Sequence, residues 1–322
     1  MKKKSNLIRQ QDIADALGVS LNTVSHALRD CKDISKETIA KVKAKAQELG
    51  YISNNIAYYL VNGKTNFVAI IFPSLQNPYY LIMITYLLTE LKERHLDGLL
   101  IPLNSVVDSQ TVEKVMLNRC GGVITFVELE ENVAKIFEER NIPVILLGSN
   151  SPYSSVDSVY TDDEDGGKQI GQVFLSSECK KALYIGNAFT ETSKRRAGGF
   201  LRCIQGKKEA EAYFLSLDEY GNFDKMYEFI EKGGFDFIFT HNDELAITIR
   251  RHFNYPADGK VKLFGYDDVS GYLNVCERIN SVSSSYQEIA RYTADLMKKR
   301  FDGDDAERPH RKRFPVKVVY NV

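Results

Sequence analysis

From Phe67 onward, short apolar runs alternate with amphipathic helical stretches, and few folds accommodate that rhythm. Strands are predicted at Val68–Phe72, Leu99–Pro102, Val123–Phe126, Val144–Leu147, Ser158–Tyr160, Ala182–Ile185, Phe237–Phe239, Lys262–Gly265 and Val316–Tyr320. Helices are predicted between them, among them Leu81–Arg94, Gly167–Leu175, Lys194–Cys203, Phe223–Glu231, Glu244–Phe253 and Glu288–Arg300. Strands joined through helices pair in parallel, with helices covering both sheet faces. Ligands of such sheets bind at the carboxyl ends of the strands.

At 322 residues the chain exceeds one ordinary core, so two or three domains are expected. No apolar run reaches the roughly 18 residues that a membrane helix needs. The basic start, Met1-Lys2-Lys3-Lys4, leads into Gln10, Gln11, Asp12 and Asp15 rather than into an apolar segment, so a cytoplasmic protein without membrane partners is expected. Five scattered cysteines with no Cys-x-x-Cys pair suggest neither a disulfide framework nor a zinc site. The five histidines lack metal-ligand spacing, so no metal is expected. Gly-x-Ser-x-Gly, a phosphate-cradling glycine loop and His-Glu-x-x-His are all missing from the sequence, and neither an enzyme nor a cofactor is expected. The acidic run Asp162-Asp163-Glu164-Asp165 precedes a helical stretch, where carboxylates complement the positive helix end.

Charge is unevenly distributed. Residues 1–64 hold eleven Lys/Arg against six Asp/Glu, and the remainder holds 31 against 37. A basic head on an acidic body suits a protein whose head alone meets a polyanion. Within that head, helices are predicted at Gln10–Leu17, Leu21–Leu28 and Lys36–Leu49. Gly18 supplies the first turn, and Ser20 and Ser35 can cap the helices that follow them. Two short helices around a glycine turn make a helix-turn-helix, whose second helix enters the major groove of DNA. Its candidate DNA contacts are Leu21, Asn22, Thr23, Ser25, His26 and Arg29. Asparagine can pair with adenine and Leu21 can meet a thymine methyl. Thr23, Ser25 and Arg29 suit phosphates, which position a head without reading sequence.

The ordered run Asp12-Ile13-Ala14, Gly18-Val19-Ser20, Thr23-Val24-Ser25-His26, Ile34-Ser35-Lys36-Glu37-Thr38 and Leu49-Gly50-Tyr51 resembles the DNA-binding head of the LacI/GalR family of bacterial regulators. His26 stands where that family often has arginine, and Arg9 where it usually has a small capping residue. The segment Asn54–Lys64 resembles the family's hinge helix. The resemblance implies minor-groove contacts from Asn55, Ala57 and Leu60, with Leu60 as a wedge that kinks the duplex. A helix this short is marginal alone, so DNA could order it.

Beyond residue 66 the body resembles the family's sensor, which has the periplasmic-binding-protein fold. The expected architecture is thus an α/β chain: a small all-α helix-turn-helix head, residues 1–52; a hinge, 53–66; and a two-lobed body with parallel sheets, 67–322. Three crossings between lobes are placed near Gly148–Ser155, near Asn242 and near Asn280–Ser285. That assigns about 67–150 and 281–301 to the first lobe, and about 151–280 and 302–322 to the second. Effector contacts implied by the resemblance are Tyr79, Tyr80, Phe126, Ser149, Thr192, Arg196, Tyr220, Asn242, Asp243 and Asp267. An aromatic face and an Arg/Asp pair suit a polyhydroxylated or heterocyclic ligand. Such a chain would be a homodimeric repressor on a palindromic operator, with affinity set by a small molecule, a sugar being the family's commonest. The alternative is a solute-binding protein of transport type, which shares the body fold but needs no DNA-reading head.

Overall fold

The computed structural model describes residues 8–28, 31, 33–51, 65–207, 211–216, 223–256, 259–273, 277–304 and 308–322. The chain divides into two compact units, Met1–Gly63 and Lys64–Val322.

In the first unit, α1 (Gln10–Leu17), α2 (Leu21–Leu28) and α3 (Lys36–Glu48) enclose a small core of Ile13, Ala14, Val24, Ala27, Val42 and Ala46. The local chemistry explains the boundaries. Gly18 takes a left-handed backbone, φ 64°, that ends α1 at no steric cost. Ser20 Oγ accepts from the backbone N–H of Thr23 at 3.0 Å, and Ser35 Oγ from that of Thr38 at 3.1 Å, so both serines cap as their positions suggested. The Arg9 side chain makes no capping bond; instead the Asp12 carboxylate accepts from the Arg9 backbone N–H at 2.7 Å.

The second unit holds two parallel sheets. The first runs β1 (Phe67–Phe72), β2 (Asp97–Pro102), β3 (Gly122–Thr125), β4 (Val144–Leu147), β5 (Val156–Thr161) and β11 (Arg311–Phe314) in the spatial order β11-β5-β4-β3-β1-β2. Its helices are α4 (Pro78–Glu93), α5 (Ser109–Leu117), α6 (Glu131–Glu139) and α12 (Tyr286–Phe301). Alternate residues of β1 show why both faces are covered. Val68, Ile70 and Phe72 pack into one core with residues of α4 and α12, while Ala69 and Ile71 pack into another with residues of α5 and α6.

The second sheet has the order β7-β6-β8-β9, formed by β6 (Lys181–Gly186), β7 (Glu211–Ser216), β8 (Phe237–Thr240) and β9 (Lys262–Phe264). Around it lie α7 (Asp163–Ser176), α8 (Glu191–Ile204), α9 (Phe223–Gly233) and α10 (Asp243–Phe253), while the short α11 (Val269–Tyr272) packs through Val269 into the first lobe's core beside α4. A two-stranded antiparallel ribbon, β10 (Ser281–Ser283) with β12 (Lys317–Val319), packs on this lobe through Val282 and Val316, which share a core with Phe264 and Tyr266.

The lobe boundaries differ from those read in the sequence. The Gly148–Ser155 segment joins β4 to β5 within the first sheet, where Val156 pairs with Val144. The chain passes to the second lobe only after Thr161, returns between Ser283 and Tyr286, and leaves again between Phe314 and Lys317. Asn242 is no crossing: it follows β8 and caps α10. The cause of the misreading is chemical. Gly148, Asn150 and Pro152 signal a turn, but a turn residue cannot say to which sheet the next strand belongs. Burial can: Asp157 is inaccessible in β5, and α12 supplies its partner Arg300.

One helix contact sets the site. A Cβ on Gly167 of α7 would lie 2.0 Å from the Arg196 carbonyl oxygen, and one on Gly199 of α8 would lie 1.9 Å from that of Glu164. The two helices thus approach at backbone distance, which fixes Arg196 of α8 against the start of α7.

Candidate functional site

In the head, the start of α2 carries the exposed groups. Leu21 keeps 47% of its surface despite being a large apolar residue, and Asn22 is exposed beside it. Thr23, Ser25 and His26 are half-buried, while Val24 and Ala27 anchor the opposite face. Thr23 shares its hydroxyl with Ser20 at 2.8 Å. His26 Nδ1 lies 2.7 Å from Asp33 Oδ2, a pairing that spacing alone did not suggest. Cys31 joins them, with the three ligand-type atoms all within 4.8 Å of one another. Arg29, Asn55, Ala57 and Leu60 lie outside the described residues.

In the body, five of the sequence-predicted effector residues, Tyr79, Tyr80, Phe126, Arg196 and Asp267, come together at the carboxyl ends of the strands. Asn77 caps α4 by accepting from the Tyr79 backbone N–H at 2.9 Å, and Pro78 occupies the first helical turn. The helix therefore starts earlier than its apolar period indicated, and its first turn presents Tyr79 and Tyr80. Both rings meet Phe126, just past β3, edge to face with centroids 6.2 and 5.4 Å away. Burial raises both phenols, Tyr80 to about 12.

Facing this aromatic wall is a charged group of the second lobe. Arg196 Nε donates to Asp163 Oδ1 at 2.9 Å, and Nη1 donates to the His241 carbonyl. Its Nη2 stands 3.7 Å from Asp267 Oδ1, and its guanidinium carbon lies 3.5 Å from the centroid of the Tyr266 ring. Burial opposes the Arg196 charge, but Asp163 and Asp267 outweigh it, and the guanidinium is held more firmly protonated than usual. Burial pushes the Asp267 carboxyl up to about 7, against the pull of Arg196. Burial beside Arg196 depresses His241 to about 4, leaving a neutral imidazole whose Nδ1 has no hydrogen-bond partner among the described residues. Thr192 precedes Arg196 by one helical turn on α8, and Ser149 follows β4 at its carboxyl end.

Asp243 departs from the expectation. Its carboxylate accepts from Ser281 Oγ at 2.6 Å and from the Val269 backbone N–H at 2.7 Å, and the residue is 1% exposed. It clamps β10 and α11 to α10, and both oxygens are occupied by protein donors. Asn242 spends its side-chain oxygen on the Leu245 N–H at 3.0 Å, keeping its amide N–H groups. Tyr220 lies outside the described residues. The sequence reading missed Asp163, which hid inside an acidic run, and Tyr286, whose hydroxyl donates to the Asp267 carbonyl at 2.8 Å while its ring lies 5.7 Å from that of Tyr79. A cavity of about 630 Å³ lies along the crossing segments, lined by Tyr272, Ser283–Ser285 and Phe314–Lys317.

A helix-turn-helix head on a two-lobed body, with polar groups gathered at the strand ends, defines a ligand-responsive DNA-binding regulator. The chain belongs to the lacI family of bacterial regulatory proteins: residues 10–54 match that family's head, and residues 65–275 match the periplasmic binding proteins and sugar binding domain of the LacI family. It is similar to the sucrose operon repressor of Streptococcus mutans, 24% identical over 311 residues, covering 93% of this chain and 94% of that one. A LacI-family transcriptional regulator from Silicibacter pomeroyi shares the fold with a TM-score of 0.76 at 24% identity, over 97% of this chain and 98% of the other. The lac repressor dimer bound to operator and the anti-inducer ONPF does so with a TM-score of 0.80 at 17% identity, over 98% of each chain. Family members are transcriptional regulators rather than enzymes, and a transport-type binding protein would have no use for the head. Among the described residues no helix is long and apolar enough to cross a membrane.

Proposed function

We propose that the protein is a homodimeric repressor of a sugar-linked operon, with operator affinity set by a small molecule held between Arg196, Asp267 and the Tyr79–Tyr80–Phe126 wall. The observation that carries this reading is the convergence of those residues, from both lobes, at the carboxyl ends of two parallel sheets. Ser149, Thr192 and the Asn242 amide are its secondary contacts. The name of the Streptococcus mutans relative supports a sugar as the class of effector.

Two heads related by a two-fold axis read the two halves of a palindrome, with Leu21, Asn22 and His26 at base edges and Thr23, Ser25 and Arg29 at phosphates. Asn55, Ala57 and Leu60 enter the minor groove. The Arg196 and Asp267 side chains keep only 11% and 9% exposure, so a ligand reaches them by parting the lobes. The cavity beside the crossing segments gives those segments room to bend. Lobe closure then changes the spacing of the hinges, so that one two-state element answers to both sites.

Operator selection from a random DNA pool tests the DNA half. A palindromic product whose affinity falls steeply with salt is expected. Leu60→Ala should weaken binding to it by at least tenfold while the melting temperature stays unchanged. Unchanged affinity in Leu60→Ala would remove the wedge, and recovery of no preferred sequence would remove the repressor reading.

A further inference from the structure

We infer that the effector is an electrically neutral compound with neighbouring hydroxyls, and that phosphorylated or carboxylated sugars are shut out of the junction. This rests on reading the junction as the effector site.

Charge at the junction disfavours anions. Arg196 is the cation that bears on Tyr79, Tyr80, Asp267 and His241 alike. Against it stand the carboxyls of Asp163 and Asp267, 2.9 and 3.7 Å from its nitrogens. The Glu244 carboxylate adds its own negative influence on Tyr80 and Asp267. Once Asp267 ionises, above about pH 7, a phosphate or carboxylate placed here meets an excess of negative charge, in a setting buried enough to magnify the repulsion.

Hydrogen-bond polarity favours hydroxyls in the same place. The 3.7 Å between Arg196 Nη2 and Asp267 Oδ1 is too long for a direct hydrogen bond, so one side has N–H to give and the other has lone pairs to fill. A hydroxyl both accepts and donates, and satisfies the two together. A phosphate dianion only accepts, and leaves an ionised Asp267 opposed by its own kind. The hydroxyls of Tyr79 and Tyr80 make no hydrogen bond among the described residues and can serve further ligand hydroxyls, while their rings and Phe126 take the C–H face of a sugar ring.

The test is calorimetric titration of the full-length protein at about pH 8, where Asp267 is ionised, with matched pairs: sucrose, fructose, glucose and ribose, each against a phosphate ester, with glucuronate beside glucose. At least one neutral sugar is expected to bind, at least 100-fold tighter than its ester. Asp267→Asn, checked for folding by operator retention, should narrow that gap at least tenfold by removing the repulsive carboxylate. A phosphate ester that binds as tightly as its parent, with binding lost in Arg196→Met, would overturn the neutral-ligand inference and leave the junction as the sensing site. If no compound of either kind binds while operator retention persists, the sugar-sensing reading falls and the inference falls with it.

Discussion

Asp267 carries an internal conflict. Burial holds its carboxyl up at about 7 although Arg196 stands beside it, so ionisation costs the folded protein stability. The direction follows from linkage. The folded-state value is raised above the ordinary 3.8, so the stability associated with the protonated form is full below pH 4 and is lost as pH rises through 7. Asp267→Asn should therefore stabilise the free protein increasingly from pH 4 to 8, by on the order of a few kcal/mol at the top of that range, while the neutral effector binds more weakly. Thermal melts of both proteins across that range check it; parallel curves would show that Asp267 ionises without penalty. His241 works in the opposite sense. Its value is depressed to about 4, so its contribution is present above the ordinary 6.5 and lost as pH falls through 4. An acid limb in the melting curve that His241→Gln removes is the expected signature.

Much of this chemistry was legible beforehand. Arg196, Asp267, Tyr79, Tyr80 and Phe126 were each named from the chain and do come together. Asp163 and Tyr286 were not, because neither has a local signal: one looks like any helix-starting acid, the other like any apolar helix residue. Asp243 shows the reverse failure. A carboxylate after a strand reads as a ligand contact or as a clamp, and only its two protein donors decide for the clamp.

At the scale of elements, the close approach of α7 and α8 governs the position of Arg196. Gly199→Ala would push a methyl group onto the Glu164 carbonyl, a backbone atom that cannot swing aside. The expected cost is about 1–3 kcal/mol, with effector affinity lowered because Arg196 shifts from Asp163. Gly198→Ala on the same helix is the contrast, since its nearest neighbours are the guanidinium atoms of Arg202, whose long side chain can move. Equal effector affinity in the two variants would show that the helix contact does not position the arginine. Strong strand and helix periods made most elements visible in the sequence. The strands Glu211–Ser216, Ser281–Ser283 and Arg311–Phe314 were not, because two are rich in charged or exposed residues and one is only three residues long. Their pairing partners, rather than their own composition, make them strands.

For the whole molecule, the weak point in reading the chain was which lobe owned which segment. The answer sits in one buried ion pair. Asp157 of β5 and Arg300 of α12 meet through two hydrogen bonds, 2.7 and 3.1 Å, and the Asp157 carboxylate also accepts from the His310 backbone N–H at 2.6 Å. Arg300→Met would leave a buried carboxylate without its cation, at a cost of about 3–5 kcal/mol. Denaturant unfolding should report that loss, and Asp157→Asn in the same background should recover part of it. An additive double mutant would show that the two residues do not act as a pair. The proposed dimer belongs to this scale too: sedimentation equilibrium should give twice the mass of the chain, and a tetramer would contradict the proposal.

The placement of α12 and β11 in the first lobe has a consequence for how the protein is made. A ribosome delivers β1 to β5 early, then the whole of the second sheet, and only afterwards the helix and strand that close the first lobe. Until then one face of the first sheet is covered by α4 alone and Asp157 has no counter-charge. The nascent first lobe is thus a greasy, unfinished surface for most of its synthesis, and it is there, rather than in the head, that the growing chain most needs shielding from its neighbours.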